Sequence, residues 1–326
     1  MRTLLKLAVA IAIVVVLIAA GGYFWVSTGV SRILAQTYSA HTVDFPIPFP
    51  LTDEEIAELG LESAAPDELE RVAMARAVER GRHLVSARYS CTECHGANFG
   101  GGVMIDAFPI GTMLGPNLTT GQGSRTLEYT PADWDRTVRH GILPDGRGAV
   151  MPSEDFRLMS DQELSDIVAY IRSLPPVDNE VPPPVLGPLG KVLVLTGQLR
   201  FSASLIEHNR PHRELPPETL PTAEFGEHIA AVCVGCHGGN YAGGPIVGGD
   251  PSWPPAANLT PHPEALGTWS FDDFARAMQQ GVRPDGTPLQ PPMSFMVPYG
   301  QRMTDVELQA IWAFLQTLPP VAPVAE

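Results

Sequence analysis

Positive charge is scarce in this sequence, and so is cysteine. Its 326 residues hold 21 lysines and arginines against 36 aspartates and glutamates, a formal net charge of −15. A chain so short of cations lacks the electrostatic footprint of a nucleic-acid binder, and its acidic balance favours protein partners with a basic docking surface. The only four cysteines fall in two copies of one short pattern, Cys91-Thr-Glu-Cys94-His95 and Cys233-Val-Gly-Cys236-His237. None is left over, so there is no spare pair for a structural disulfide. Long apolar runs are few as well. The stretch from Val185 to Leu199 is interrupted by Gly187, Pro188, Gly190 and Lys191 and is too short and broken to span a bilayer, which leaves packing between domains or resting on a membrane surface. Proline and glycine are plentiful, at 33 and 31 residues, and predict loop-rich domains rather than disorder.

The one long apolar run is N-terminal. Arg2 and Lys6 precede an uncharged segment from Leu7 to Ser31, with Tyr23, Phe24 and Trp25 near its far end. About 20 apolar residues in a helix cross a bilayer, and aromatic side chains settle at its interface. Residues 1–31 therefore read as a transmembrane anchor. A cleaved signal peptide is the competing reading, with Ala19-Ala20-Gly21-Gly22 as its cleavage site, but the apolar run continues past those small residues. The leading positive charges place the N-terminus in the cytoplasm, and both readings export everything that follows.

The exported part repeats itself. His95-Gly-Ala-Asn98-Phe99 is echoed by His237-Gly-Gly-Asn240-Tyr241, Asn117-Leu118-Thr119 by Asn258-Leu259-Thr260, and Pro144-Asp145-Gly146 by Pro284-Asp285-Gly286. The unit is long enough for a domain of its own. Both copies share helix signals. Thr130 and Ser270 offer capping hydroxyls with Asp133 and Asp273 three residues on, and Ser160 to Glu163 and Thr304 to Glu307 read as capping boxes. The apolar faces Leu164, Ile167, Val168, Ile171 and Leu308, Ile311, Trp312, Leu315 follow, and Pro175-Pro176 and Pro319-Pro320 stop each helix. Further helices are expected over 67–88 and, opened by Thr52 and Glu55, over 52–59. The boundaries are an anchor over 1–31, mainly helical domains over 67–178 and 221–321, and a semi-rigid proline-rich connector over 179–220.

Cys-x-x-Cys-His is a c-type haem attachment signature. Two thiols about one helical turn apart can bond both vinyl groups of a porphyrin while the adjacent imidazole reaches the iron. His95 and His237 are then proximal ligands, each expected to donate its other ring nitrogen to a backbone carbonyl. A zinc site is disfavoured by the wide separation of the motifs, and a thioredoxin-like pair by the missing βαβ pattern. For the opposite face of the iron the first copy offers Met104, Met113, Met151 and Met159. Met159 suits a hydrophobic staple before Ser160, while Met104 and Met113 suit the haem edge. Met151, after the Pro-Asp-Gly turn, is the expected ligand. In the second copy the loop holds Met293 and Met296, and Met293 is preferred. His83, His140 and His228 are the bis-histidine alternatives.

From about Arg71 to Val321 the chain resembles tandem class I cytochrome c domains, similar to the cytochrome c subunits of membrane-associated bacterial dehydrogenases for alcohols or gluconate. The matching residues are Cys91, Cys94 and His95 with Met151, and Cys233, Cys236 and His237 with Met293. Such subunits typically carry three haem motifs, where this sequence has two. The resemblance implies a mainly α fold, two covalently bound haem c groups, and haem domains on the periplasmic side of a bacterial inner membrane. The implied activity is electron relay from a dehydrogenase or quinol-oxidising complex to an oxidase, reductase or photosynthetic centre, with the chain as a possible subunit of a larger respiratory or photosynthetic complex. A dihaem peroxidase with one reactive haem is the alternative, and the matched methionine loops argue against it.

Overall fold

The computed structural model describes residues 2–41, 43–246, 249–250 and 252–322. Met1 of the expected anchor and residues 247, 248 and 251 of the expected second domain lie outside them. Helix α1 runs without a break over Arg2–Leu34. Its most apolar window has a mean hydropathy of 2.8 and is covered by no other part of the chain. At 1.5 Å per residue it is roughly 50 Å long, more than the ~30 Å hydrocarbon core of a bilayer.

Two small helical units follow. In the first, Thr52 and Glu55 close a capping box on α2 (Asp53–Glu58). Helix α3 (Pro66–His83) then widens into a π turn over Leu84–Arg88 and leads into the short helical turn α4 (Thr92–His95). Helices α5 (Pro131–His140) and α6 (Asp161–Ser173) complete the unit, each opened by a capping box, Thr130 with Asp133 and Ser160 with Glu163. The second unit repeats this order with α8 (Ala223–Ala230), α9 (Val234–His237), α10 (Phe271–Gln280), α11 (Val297–Gly300) and α12 (Asp305–Leu315). Helix α7 lies between the units and is described below. Ser270 with Asp273 and Thr304 with Glu307 form the matching boxes.

In each unit the first helix crosses the last, α3 on α6 and α8 on α12. The approach is so close that a Cβ on Gly81 would lie 2.0 Å from the Asp166 carbonyl oxygen, and one on Gly226 would lie 1.9 Å from that of Ala310. Any larger residue would force the crossing apart. The apolar faces read from the sequence fill the cores: Leu164, Ile167, Val168 and Ile171 pack with Leu84, Val85 and Trp134, and Leu308, Ile311 and Leu315 with Phe225, Ile229 and Phe274.

Two features depart from a simple helical pair. The glycine-rich stretch after the first motif forms an antiparallel hairpin, β1 (Gly102–Ala107) and β2 (Gly111–Gly115), to which β3 (Val185–Leu186) adds with Thr112 opposite Val185. The segment over 179–220 lies along the first unit: Asn179 Nδ2 donates to the Gly100 carbonyl at 2.7 Å, and the backbone amides of Asp161 and Gln162 donate to the carbonyls of Arg213 and Glu214. Within it the broken apolar patch becomes α7 (Pro188–Leu195), which packs on the end of α1. Leu195 seats against Gly29, where a Cβ would be only 2.5 Å from its Cδ1, and the Lys191 ammonium lies 5.4 Å from the centre of the Tyr23 ring.

Candidate functional site

The attachment turns are placed by backbone packing. In the first unit β2 presses on α4 so tightly that a Cβ on Gly115 would sit 1.9 Å from the Cys94 carbonyl oxygen. His95 Nδ1 donates to the Pro116 carbonyl at 3.1 Å, and His237 Nδ1 to the Ala257 carbonyl at 2.7 Å. Each ring is thereby fixed in the tautomer that leaves Nε2 as the free lone pair, the form a proximal iron ligand needs. Burial lowers the basicity of both imidazoles, which keeps them neutral. It also pushes the Cys91 and Cys233 thiols up to about 12, so the sulfurs are uncharged against an apolar surface.

The Asn-Leu-Thr triplets hold these carbonyl loops. Asn117 Oδ1 accepts from the backbone and hydroxyl of Thr119 while its Nδ2 donates to the Val177 carbonyl at 2.7 Å. Asn258 does the same with Thr260 and the Val321 carbonyl, also at 2.7 Å. Both loops are thus tied to the chain leaving the last helix. The exact repetition of the triplets in the sequence is the signal for this shared positioning role.

A continuous cavity of about 2500 Å³ runs through both units, more than twice the ~1,000 Å³ upper range of ordinary small-molecule sites. Cys91, Cys94, His95 and Met151 line one end, and Cys233, Cys236, His237, Met293 and Met296 the other. Met104, Met113, Met159 and Met303 line it too, with Met113 and Met159 buried. Met293 and Met296 share one 3-10 turn, so they stand on the same side of it. The walls fit a porphyrin: Phe156, Ile167 and Ile171 in one half and Ile229, Phe274 and Ile311 in the other are apolar. The buried Trp134 Nε1 has no hydrogen-bond partner among the described residues and belongs to the lining, as do Arg125 and Arg283. Such donors suit the carboxylates at the edge of a haem.

His83 and His228 are absent from this lining. His83 Nε2 pairs with Glu307 Oε1 at 2.8 Å and His228 Nε2 with Glu163 Oε2 at 2.8 Å. Each helix-capping glutamate is therefore held by a histidine of the opposite unit. Arg88 joins the two, donating to Glu163 Oε1 at 3.1 Å and also to Glu307. Burial pushes both carboxyls up, but the His228 and His83 hydrogen bonds and the Arg88 charge outweigh it and hold Glu163 and Glu307 at about 2. The reciprocity extends to the attachment turns. Thr92 and Glu93, between the first pair of cysteines, hydrogen-bond the hydroxyl of Tyr299, which follows the second methionine loop, at 2.6 and 2.7 Å. Gly235, between the second pair, packs on Asp155, which follows Met151. There a Cβ on Gly235 would lie 2.5 Å from Asp155 Oδ2. The third alternative ligand, His140, is also outside the lining, in a cluster of its own.

With this geometry in view, the likenesses to known proteins fall into place. The profile of the Cytochrome c family matches residues 78–175 and 223–319, one match over each unit. An alcohol dehydrogenase (quinone) cytochrome c subunit of Gluconacetobacter polyoxogenes is 30% identical over 274 residues, covering 76% of this chain and 57% of the relative. The gluconate 2-dehydrogenase cytochrome c subunit of Pantoea cypripedii is 27% identical, covering 74% and 59%. A diheme cytochrome c-type protein of Cereibacter sphaeroides is 25% identical, covering 71% and 82%. The chain spans less than two thirds of the length of the two dehydrogenase subunits.

Proposed function

Because this chain belongs to the cytochrome c family, with a match over each of its units, we propose that it is a membrane-anchored electron relay serving a dehydrogenase. Its cofactors are two covalently bound haem c groups, and its role is electron transfer rather than substrate turnover. When bound, each haem supplies an iron that cycles between ferric and ferrous states.

In this reading Cys91 and Cys94 would hold the first haem through thioethers, with His95 and Met151 as the residues that would ligate its iron, and Cys233, Cys236, His237 and Met293 would do the same in the second unit. Pro116 and Ala257 orient the two imidazoles through their carbonyls. The apolar walls exclude water, and a methionine ligand in a dry pocket raises the reduction potential. Helix α1 crosses the inner membrane with its N-terminus in the cytoplasm and holds both haem units on the periplasmic side. The acidic chain docks to basic faces on a donor, a dehydrogenase or quinol-oxidising complex, and on an acceptor, an oxidase, reductase or photosynthetic centre.

The observation that carries the reading is the equivalence of the two ends of the cavity: each has an attachment turn, an oriented imidazole and a methionine loop. Neither is furnished as an open reactive site. In holoprotein, Met151→Ala and Met293→Ala should each abolish one of two methionine-to-iron charge-transfer signals, and Met296→Ala neither. A wild-type protein with one high-spin haem that turns over peroxide would overturn the relay in favour of a peroxidase.

A further inference from the structure

Four of the nine histidines meet at one place outside the lining of the haem cavity. His41 belongs to the segment between α1 and α2, His140 ends α5, and His208 and His212 come from the segment between the two units. One ring nitrogen from each of His41, His140 and His212 lies within 4.8 Å of the others. The rings pack with centroids 5.0 to 5.3 Å apart, and Asp135 of α5 sits beneath them, 3.8 Å from His140 Nε2 and 3.7 Å from His212 Nε2.

Hydrogen bonds outside the cluster aim its lone pairs inward. His41 Nδ1 donates to the His208 carbonyl at 2.7 Å, which leaves Nε2 as an acceptor; that nitrogen is buried and has no hydrogen-bond partner among the described residues. His208 Nε2 donates to the Ala203 carbonyl at 2.8 Å, so its Nδ1 is the lone pair that accepts from His140 Nδ1 at 3.2 Å. His140 Nε2 is therefore also unprotonated, and it faces His212 Nε2 at 3.0 Å. Asp135 is fully buried, and its Oδ2 likewise has no hydrogen-bond partner among the described residues.

The charges are unbalanced in the direction a cation requires. Arg139 is the one guanidinium at the cluster and is shared by Asp135 at 2.6 Å and Asp161 at 2.7 Å. Ionised, the two carboxylates exceed the arginine by one negative charge. A stack of mutually hydrogen-bonded histidines accounts for the contact between His140 and His212, but it leaves His41 Nε2 and Asp135 Oδ2 in the interior without a hydrogen-bond partner among the described residues, which is costly.

We propose that His41, His140, His212 and Asp135 bind one zinc ion. Three neutral imidazoles and a carboxylate form a closed tetrahedral donor set for Zn²⁺, in which ligand atoms bonded at about 2.0–2.1 Å stand roughly 3.4 Å apart. His140 Nε2 and His212 Nε2 stand 3.0 Å apart, and Asp135 Oδ2 and Oδ1 lie 3.8 and 3.7 Å from them, which brackets that spacing. The hydrogen bonds from His140 to His208 and from Arg139 to Asp135 supply the outer support that such ligands have. The ion clamps three parts of the chain together: the segment leaving α1, the first haem unit, and the segment between the units. That last segment also carries Ser202, whose hydroxyl donates to the Met151 carbonyl at 2.6 Å.

Chelator-treated holoprotein, re-equilibrated with zinc sulfate and desalted, should retain one zinc per chain by elemental analysis and unfold at a higher temperature than the zinc-free form. His41→Ala and His212→Ala should each weaken zinc binding at least 100-fold and abolish the thermal shift. His208→Ala should weaken it about 10- to 100-fold through the support it removes, and His262→Ala should leave it unchanged. Alkaline pyridine haemochrome at two haems per chain certifies that a variant has folded, and His41→Gln replaces His41→Ala if that variant does not accumulate. Wild-type protein that keeps no zinc, or His41 and His212 variants that keep as much as wild type, would overturn the assignment.

Discussion

The two methionine loops begin from the same sequence pattern and end in different surroundings. In the first, Met151 is braced from outside: its carbonyl accepts from Ser202 Oγ at 2.6 Å, and the Ser153 amide donates to the same hydroxyl at 3.0 Å. In the second, Met293 and Met296 lie in a 3-10 turn flanked by the half-exposed Phe295. That loop is longer and carries two methionines where the first carries one. A repeat can thus keep its attachment turns alike while the segment between the copies braces the methionine loop of the first. The contact between the units behaves the opposite way. There the copies stay equivalent, and each capping glutamate depends on the other unit.

Loss of Arg88 should have the largest effect, because it is the cation common to both glutamates. Arg88→Met should cost about 3–5 kcal/mol, since it leaves buried carboxylates without their guanidinium; denaturant midpoints measure this, and both units should loosen together. Gly81→Val and Gly226→Val should each cost about 3 kcal/mol or more through overpacking against backbone, read as lost holoprotein yield. Unequal losses would show that the helix crossings are not interchangeable. Acid acts on the interface more gradually. Glu163 and Glu307 are held at about 2, below the ordinary 4.5. The stability they lend is therefore complete above about 4.5 and disappears as pH falls towards 2. Glu163→Gln should flatten that acid limb in denaturation curves. Ser202→Ala should have the smallest effect, about 1 kcal/mol, with the methionine-to-iron signal of the first haem weakening at lower temperature than that of the second. Equal weakening of both signals would erase the contrast between the loops.

The legible parts of the fold were those written in short stretches of sequence. Ser160 and Glu163, or Thr304 and Glu307, announce a helix start three residues apart, and the apolar faces behind them follow from helical spacing alone. The attachment turns were legible for the same reason. The hairpin was not, because its glycines read as loop signals; Gly115 is required there by contact with Cys94, not by a turn. The roles of His83 and His228 were hidden for a different reason. Their partners lie 224 and 65 residues away, and only the assembled interface brings them together. The histidine cluster escaped notice likewise, since its members come from three separate segments.

The seat of Leu195 on Gly29 has a consequence for how the molecule meets others. A domain on a limp tether tumbles, and each encounter must sample its orientation in three dimensions. Here α7 is wedged against the end of α1, so if that helix crosses a bilayer as proposed, the haem units would stand at a set height and tilt, with spin about the membrane normal and lateral drift left to them. The search for a partner embedded in the same sheet would then become planar, and only a binding face at the matching height would be met squarely.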